Sequence, residues 1–271
     1  MKASDGPGVA VIVSTYERTD ALEAVLRSVA SQTYRRFEVV VADDGSGPGT
    51  RELVERWGEE LGRPVRHIWQ EDRGYRLAAI RNRAVAATEQ PYLVFIDGDC
   101  LVRPDYIRGH ARLAEVGRFV HGSRVRLDPG LSRAAIEGAA DVARWSSGRW
   151  FGEWLRGRVD RFTSLLRVPL GPLRRVSPRA WRGVKGCNLA MWRSDFLAVD
   201  GFDEGFEGWG FEDNDLVVRL IRHGVRRKEG RYAVPVLHLW HEPRPPDPAS
   251  RERFEQRLRA RVIRAERGIG R

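Results

Sequence analysis

Pro91-Tyr92-Leu93-Val94-Phe95-Ile96-Asp97-Gly98-Asp99 is the stretch on which the reading of this chain turns. Aromatic and β-branched residues run unbroken from Tyr92 to Ile96, then stop at two carboxylates separated by a glycine. Such a run is a buried strand, and it delivers both acids to one rim of a sheet. The glycine lets backbone approach whatever the acids hold. Oxygen ligands of this kind suit a hard divalent cation, which in turn clamps a diphosphate. Two aspartates around one residue are a common chance pattern, so context has to carry the argument.

Upstream, residues 9–14, 37–42 and 64–69 also read as strands. Leu22, Val25, Leu26 and Val29 recur with helical period behind Thr19 and Asp20, either of which can cap a helix. Further helices are expected over 50–61 and 76–87. Strand and helix alternate four times, the pattern of an α/β fold with a mostly parallel sheet covered on both faces. Ligands gather at the carboxyl ends of strands in such sheets. Thr15-Tyr16-Glu17 follows the first strand, Asp43-Asp44-Gly45-Ser46-Gly47 the second, and Asp97-Gly98-Asp99 the fourth. Each cluster alone suits a turn or a helix cap, but three on one rim suggest a site. No Gly-x-Gly-x-x-Gly follows the first strand and no Gly-x-x-x-x-Gly-Lys-Ser/Thr occurs, which disfavours a Rossmann dehydrogenase or a P-loop NTPase.

The 271 residues suffice for one large core or two small ones. Hydrophobic content of 42% and charged content of 31% fit a soluble globular protein. No apolar run nears the roughly 20 residues needed to span a bilayer. Residues 1–8 carry no apolar signal core, and Cys100 and Cys187, the two cysteines, fit a reducing cytoplasm without metal-binding spacing. The net charge is +10, and arginine supplies all basic residues except Lys2, Lys185 and Lys228. Basic charge concentrates in 144–182 and again in 249–271. Such patches suit anionic lipid, nucleic acid or phosphorylated ligands, or are simply solvated surface. The aromatics among the arginines of 128–182 fit an amphipathic helical pair packed on the sheet, or an acceptor- or membrane-facing lobe. In the tail, Phe254, Leu258, Val262 and Ile269 form a stripe among arginines. It reads either as a helix folded back on the core or as one resting on an anionic membrane.

A second acidic site is Gly208-Trp209-Gly210-Phe211-Glu212-Asp213-Asn214-Asp215. Leu216, Val217, Leu220 and Ile221 mark the inner face of a helix that Gly224 ends, and helical spacing puts Asp213 in line with that face. Crowding and burial raise an acid's pKa while a helix N-terminus lowers it, so an acid there can be poised as a general base. His238 and His241 follow a strand-like segment at 233–237 and can complete the coordination of Mn²⁺ beside carboxylate and diphosphate oxygens.

These pieces, in this order, resemble a family-2 glycosyltransferase of the GT-A fold. The matching residues are Val11-Ile12-Val13-Ser14-Thr15-Tyr16-Glu17-Arg18, Asp43-Asp44-Gly45-Ser46, Ala79-Ile80-Arg81-Asn82-Arg83-Ala84 and Ile96-Asp97-Gly98-Asp99. Lys185-Gly186-Cys187-Asn188-Leu189-Ala190, Gly201-Phe202-Asp203-Glu204 and Gly208-Trp209-Gly210-Phe211-Glu212-Asp213 resemble the acceptor-side region of β-1,4-galactosyltransferases and bacterial chondroitin polymerases. The resemblance implies a Rossmann-like central sheet flanked by helices. It divides the chain into a nucleotide-sugar-binding half (1–125), an acceptor-binding and catalytic half (126–248) and a basic C-terminal helix (249–271). It implies that Thr15, Tyr16, Glu17 and Asp43 or Asp44 contact uridine, with Arg73, Arg76 and Arg81 near uracil or diphosphate. Asp97, Gly98 and Asp99 then face ribose and metal. His241 and His238 complete an Mn²⁺ (or Mg²⁺) site, Trp209 lies beside both sugars, and Asp213, flanked by Glu212, is the general base.

The activity implied is metal-dependent, inverting transfer from a UDP-sugar to a hydroxyl of a glycan or small acceptor, as in polysaccharide biosynthesis. The expected setting is the cytoplasm, with peripheral contact at the inner membrane surface as one reading of the tail. Two features depart from the pattern: Ser14-Thr15-Tyr16-Glu17 replaces Pro-Thr/Ser-Tyr-Asn, and Phe211 stands where a second glycine is common. Alternatives are a retaining transferase, a sugar-1-phosphate nucleotidylyltransferase, whose Gly-rich arginine loop is absent here, and a basic nucleic-acid-binding protein. The last leaves the rim clusters unexplained and has no recognition motif, so no nucleic-acid partner is expected.

Overall fold

A computed structural model describes residues 6–63, 65–175 and 177–270. Pro64, expected to open the third strand, and most of the N-terminal stretch read for an export signal lie outside them. Strands β1 (Val9–Thr15), β2 (Phe37–Asp43), β3 (Val65–Trp69) and β4 (Tyr92–Asp97) alternate with helices α1 (Thr19–Ala30), α2 (Pro48–Glu60) and α3 (Leu77–Ala86). The four strands are parallel, in the order β3-β2-β1-β4. β1, β2 and β4 each run one residue beyond the expected end, so Thr15, Asp43 and Asp97 are themselves the last strand residues.

The remaining elements are β5 (Cys100–Val102), α4 (Tyr106–Leu113), β6 (Arg118–His121), β7 (Arg124–Arg126), α5 (Pro129–Ile136), α6 (Ser147–Leu155), β8 (Asn188–Trp192), α7 (Arg193–Ala198), α8 (Glu212–His223), β9 (Arg226–Glu229), β10 (Val236–His238) and α9 (Pro248–Arg259). β8 runs antiparallel to β4 and β6 and extends the main sheet to seven strands, with β9 at its edge. β5, β10 and β7 form a second, three-stranded sheet. Two hydrophobic clusters sandwich the main sheet. Val9, Val11 and Val13 pack with Leu22 and Val25 of α1, while Ala10 and Ile12 pack with Ile80 of α3 and Leu216 of α8. Burial on both faces explains why the strands read as unbroken apolar runs.

Local chemistry moves three boundaries. α2 starts at Pro48, whose fixed φ and missing N–H suit a first helical position. Thr19 and Asp20 do not cap α1 but lie inside its first turn, and the Asp20 carboxylate accepts from Arg18 Nε at 2.9 Å. The loop ahead of α1 is instead fixed by Glu17, whose N–H donates to Ser46 Oγ (2.9 Å) and whose carboxylate accepts from Gly47 N–H (2.7 Å). The strand expected over 233–237 shifts to β10, because a turn with Tyr232 in a left-handed conformation occupies its start.

The 128–182 segment packs differently from the expected helical pair on the sheet. α5, α6 and short 3-10 turns gather Leu131, Trp150, Val159 and Leu165 against Ala21 and Ala24 of α1 and Leu237 of the small sheet. Trp150 is fully buried against Trp145, but Phe151 and Trp154 remain exposed beside Phe162.

The tail folds back on the core. Phe254 of α9 stacks on Phe211 (centroids 5.3 Å apart) and meets Trp181 edge-on. Arg257 pairs with buried Asp215 (2.8 Å) and buried Asp203 (2.9 Å). α9 ends at Arg259, so Val262 and Ile269 do not continue its stripe, and the following chain bonds to Val199 and Asp200 carbonyls. With Phe254 buried, α9 lacks the apolar stripe that a membrane-resting helix needs. Among the described residues no helix is long and apolar enough to cross a membrane.

Removing one partner of a buried ion pair leaves an uncompensated charge, at a cost of about 3–5 kcal/mol. Arg257→Met is therefore expected to lower the thermal midpoint substantially, and truncation after Ser250 to abolish soluble, folded protein. A truncated chain with an unchanged midpoint would contradict this account of the tail.

Candidate active site

The strand register brings the three expected clusters together. Thr15 stands opposite Asp43 and Ser14 opposite Asp97, so the ends of β1, β2 and β4 share one rim. Gly98 follows directly, and its N–H donates to the Ser14 carbonyl at 2.6 Å. A Cβ at Gly98 would lie 2.9 Å from that oxygen, so the close approach the glycine permits is to the end of β1. Among the described residues, nothing else crowds that position more closely.

Asp43 is fully buried, accepting from Ser46 N–H at 2.9 Å and pairing with His67 Nε2 at 2.8 Å. Burial pushes its carboxyl up, but the His67 and Ser46 hydrogen bonds outweigh burial and hold it below the usual range. Asp44 accepts from Gln70 Nε2 and from Arg76 N–H (2.8 Å), and burial leaves it above the usual range. Both aspartates thus shape the loop walls as well as the rim. Tyr16 is exposed, its hydroxyl donating to Asp72 at 2.9 Å across the groove mouth. Arg73 lies at the solvent edge, paired with Glu71 at 2.6 Å, and Arg76 donates to the Glu71 carbonyl. His67, Gln70 and Asp72 were missed from sequence because their roles come from contacts across the sheet.

Arg81 stands at the centre. It is 1% exposed; its Nε donates to Ser14 Oγ (2.9 Å), one Nη to Asp97 Oδ1 (2.7 Å), and the other lies 3.5 Å from Glu212 Oε1. This guanidinium joins the end of β4 to the first turn of α8. It sits behind the rim, committed to two carboxylates. Tyr75, unnoticed in the sequence, lies among the same charges; burial and then the Glu212 charge push its hydroxyl well above the ordinary range.

α8 divides its acids. Asp215 is buried and pairs with Arg219 and Arg257, so its role is structural. Glu212 is buried against Arg81, and burial, followed by the Asp213 charge, pushes its carboxyl up to about 7. Asp213, in line with the inner face by its spacing, is half-buried, less enclosed than Leu216, Val217 and Leu220 further along α8. Its Oδ2 accepts from Gly186 N–H at 2.7 Å. Phe211 precedes the helix in a left-handed conformation (φ 74°), unusual for a bulky residue, and its stack on Phe254 holds it there. Its ring is thereby turned toward α9.

The other end of the rim holds imidazoles. β10 pairs with β5 so that His238 stands opposite Cys100. Asp99 Oδ2 lies 3.6 Å from His238 Nε2 and 3.4 Å from His241 Nε2. Burial lowers His238 toward the neutral form in which imidazole ligates metals. Asp97 turns instead to Arg81, so Asp99 is the carboxylate that faces both histidines. The Cys100 thiol donates to Asp99 Oδ1 at 3.4 Å, and burial pushes it well above its ordinary range, so it braces the carboxylate as a protonated donor. Beside the histidines, Trp209 and Trp240 line a cleft of about 340 Å³. Both indoles are partly exposed, presenting flat apolar faces next to polar groups.

The geometry is that of an α/β rim with a carboxylate–imidazole cluster at one end and paired acids at the other. The family profile for glycosyl transferase family 2 matches residues 10–151, and that for the N-terminal domain of galactosyltransferase matches residues 177–241. The chain belongs to glycosyl transferase family 2. It is 33% identical over 232 residues to validoxylamine A glucosyltransferase of Streptomyces hygroscopicus subsp. jinggangensis, a match covering 81% of this chain and 52% of that one. It is 29% identical over 251 residues to chondroitin synthase of Escherichia coli, covering 83% and 34%. The chain thus spans about half, or less, of these relatives' length. Among solved structures it resembles the mannosyltransferase PcManGT from Pyrobaculum calidifontis in complex with GDP-Man and Mn²⁺ (TM-score 0.63, 21% identity, 89% of this chain and 59% of that one). It also resembles Staphylococcus aureus TarS 1–349 in complex with UDP (TM-score 0.64, 14% identity, 95% and 66%). The fold is that of the GT-A glycosyltransferases, as the sequence motifs implied.

A carboxyl that ionises near 7 when folded but near 4.5 when free holds an extra proton in the native state between those values. Its contribution to stability is present below about 4.5 and lost as the pH rises through about 7. Glu212→Gln removes the titration, so its thermal midpoint is expected to gain on the wild-type value steadily across that window. Parallel midpoint-versus-pH curves for the two proteins would show that Glu212 ionises normally.

Proposed function

We propose that this protein is a metal-dependent, inverting glycosyltransferase that moves a sugar from a UDP-sugar to a hydroxyl of a glycan or small acceptor. The observation that carries the reading is the Arg81 bridge, which holds the Asp97-Gly98-Asp99 turn and the Glu212-Asp213 turn on opposite sides of one rim. Family membership favours this over nucleotidylyl transfer or nucleic-acid binding. The GDP-Man and UDP complexes of the two similar structures support a nucleotide-sugar donor. We assign the reaction to the cytoplasm on the low cysteine content.

Thr15, Tyr16, Glu17 and the Asp43-Asp44 loop form the uridine wall, and the loop with Arg73 and Arg76 closes over the diphosphate side. Asp97 faces ribose. Asp99, His238 and His241 fit a divalent cation of the Mn²⁺ type: one Asp99 oxygen lies 3.6 Å from the His238 Nε2 and 3.4 Å from the His241 Nε2, so a carboxylate and two imidazoles face one another. Mn²⁺ (or Mg²⁺), when bound there, supplies charge stabilisation for the departing diphosphate. Asp213 takes the proton from the acceptor hydroxyl, held in position by the Gly186 N–H. Glu212 and Arg81 fix the helix entry behind it. The hydroxyl attacks the anomeric carbon opposite the leaving diphosphate, so one displacement inverts that centre. Trp209 offers its exposed indole face to the sugars.

Calorimetry with UDP, with and without Mn²⁺, tests the donor end. Metal is expected to tighten binding in the wild type, and Asp99→Ala to remove the enhancement; equal affinity after chelation would refute the metal site. At the other end, Asp213→Asn is expected to lower kcat by about 10²–10⁴-fold, the usual worth of general-base catalysis, with UDP affinity kept. Near-full turnover in Asp213→Asn alongside an inactive Glu212→Gln would make Glu212 the base.

A further inference from the structure

The Trp209 cleft has a neighbour with which it shares part of its lining. This second cleft measures about 870 Å³, within the roughly 300–1,000 Å³ range typical of ligand sites. Among the described residues, seven lysines and arginines but two carboxylates line it. Each carboxylate is already engaged. Asp160 holds Arg126 (3.1 Å) and Arg161 (3.3 Å), and Glu229 holds Arg227 (3.0 Å) and Arg231 (3.8 Å). Arg124, Arg182 and Lys185 have no carboxylate within ion-pair distance among the described residues. Arg182 rests its guanidinium on the Trp181 ring, 4.9 Å from the centroid, and Lys185 is exposed. The field of these cations reaches His121 in the cleft wall. Burial first, then Arg227, Lys185 and Arg231, hold its imidazole down to about 3, so it adds no charge of its own.

The cleft runs into the candidate active site. Arg124, Arg126 and Asp160 line both it and the Trp209 cleft. Lys185 directly precedes Gly186, whose N–H binds the Asp213 carboxylate. A chain lying among these cations therefore extends to the proposed base.

We propose that this cleft binds the acceptor, and that the acceptor is an anionic glycan carrying carboxylate or phosphate groups. Guanidinium forks and an ammonium are the donors that such groups bind most strongly. Single-stranded nucleic acid would need a ladder of aromatic platforms, and Tyr232 is the one Phe, Tyr or Trp in the lining among the described residues. The inference rests on the glycosyltransferase reading for what the bound chain does, but not for the binding itself.

Calorimetry with three oligosaccharides of matched length provides the test: one containing glucuronate, one a polyol phosphate, one a neutral glucan. An anionic probe is expected to bind the wild type at least tenfold more tightly than the neutral one, with affinity falling as salt rises. Which anionic probe binds more tightly identifies carboxylate or phosphate as the group read. Arg182→Ser combined with Lys185→Ser is expected to lose that preference at least tenfold, and the charge-preserving Arg182→Lys with Lys185→Arg to keep most of it. UDP affinity with Mn²⁺ and the thermal midpoint are expected to stay constant across these variants. Equal binding of neutral and anionic probes, retained affinity in the double serine variant, or tighter binding of a single-stranded DNA oligonucleotide overturns the proposal. Loss of UDP binding in the wild type would instead overturn the donor reading.

Discussion

A guanidinium sealed from water must be matched by fixed negative charge, and Arg81 imposes that constraint on everything around it. Burying such a charge unpaired costs several kcal/mol, so its carboxylate partners cannot drift. Asp97 is held at the end of β4 and Glu212 at the start of α8, elements far apart in sequence. The fit is tight: a Cβ at Gly186 would come within 2.9 Å of the Arg81 guanidinium. The next residue, Asn82, does the same with neutral groups. Its amide donates to the Phe202 carbonyl and the Glu204 carboxylate, and its oxygen accepts from Phe202 N–H. One turn of α3 thereby fastens both halves of the chain.

A second buried network sets what the basic tail does. Asp203 and Asp215 lie inside, and Arg219, Arg253 and Arg257 neutralise them. Arg222 donates to the carbonyls of Leu258 and Val262 and so ties the end of α9 to α8. Two of the tail's arginines, Arg253 and Arg257, are thus spent on buried carboxylates. A different set of cations lines the cleft beside β6, β7 and β9, where carboxylates are too few to match them. Net charge alone did not distinguish these two uses, since both draw on arginine.

Apolar runs of four or five residues, ended by polar and acidic ones, made the parallel half of the fold legible, because a strand buried on both faces leaves no other pattern. The rim followed from them, since strand ends in such sheets share an edge. The additions β8, which is antiparallel, and β6 and β9, which run with the first four strands, were not legible, nor was most of the small sheet. They are short, and β9, Arg226–Glu229, is wholly charged, so periodicity carries no signal there.

What the sequence by itself determined was the alternating α/β order, the motifs on the rim and the presence of two acidic sites. What only the tertiary structure decided was the division of labour among like residues. Asp99 meets the histidines while Asp97 meets Arg81; Glu212 and Asp215 are buried while Asp213 is half-buried; Phe254 is core. The physical reason is that strand and helix periodicity depend on neighbours along the chain. Ionisation, ion pairing and burial depend on neighbours in space, which here come from other elements, as Arg81 comes to Asp97 and the two histidines to Asp99.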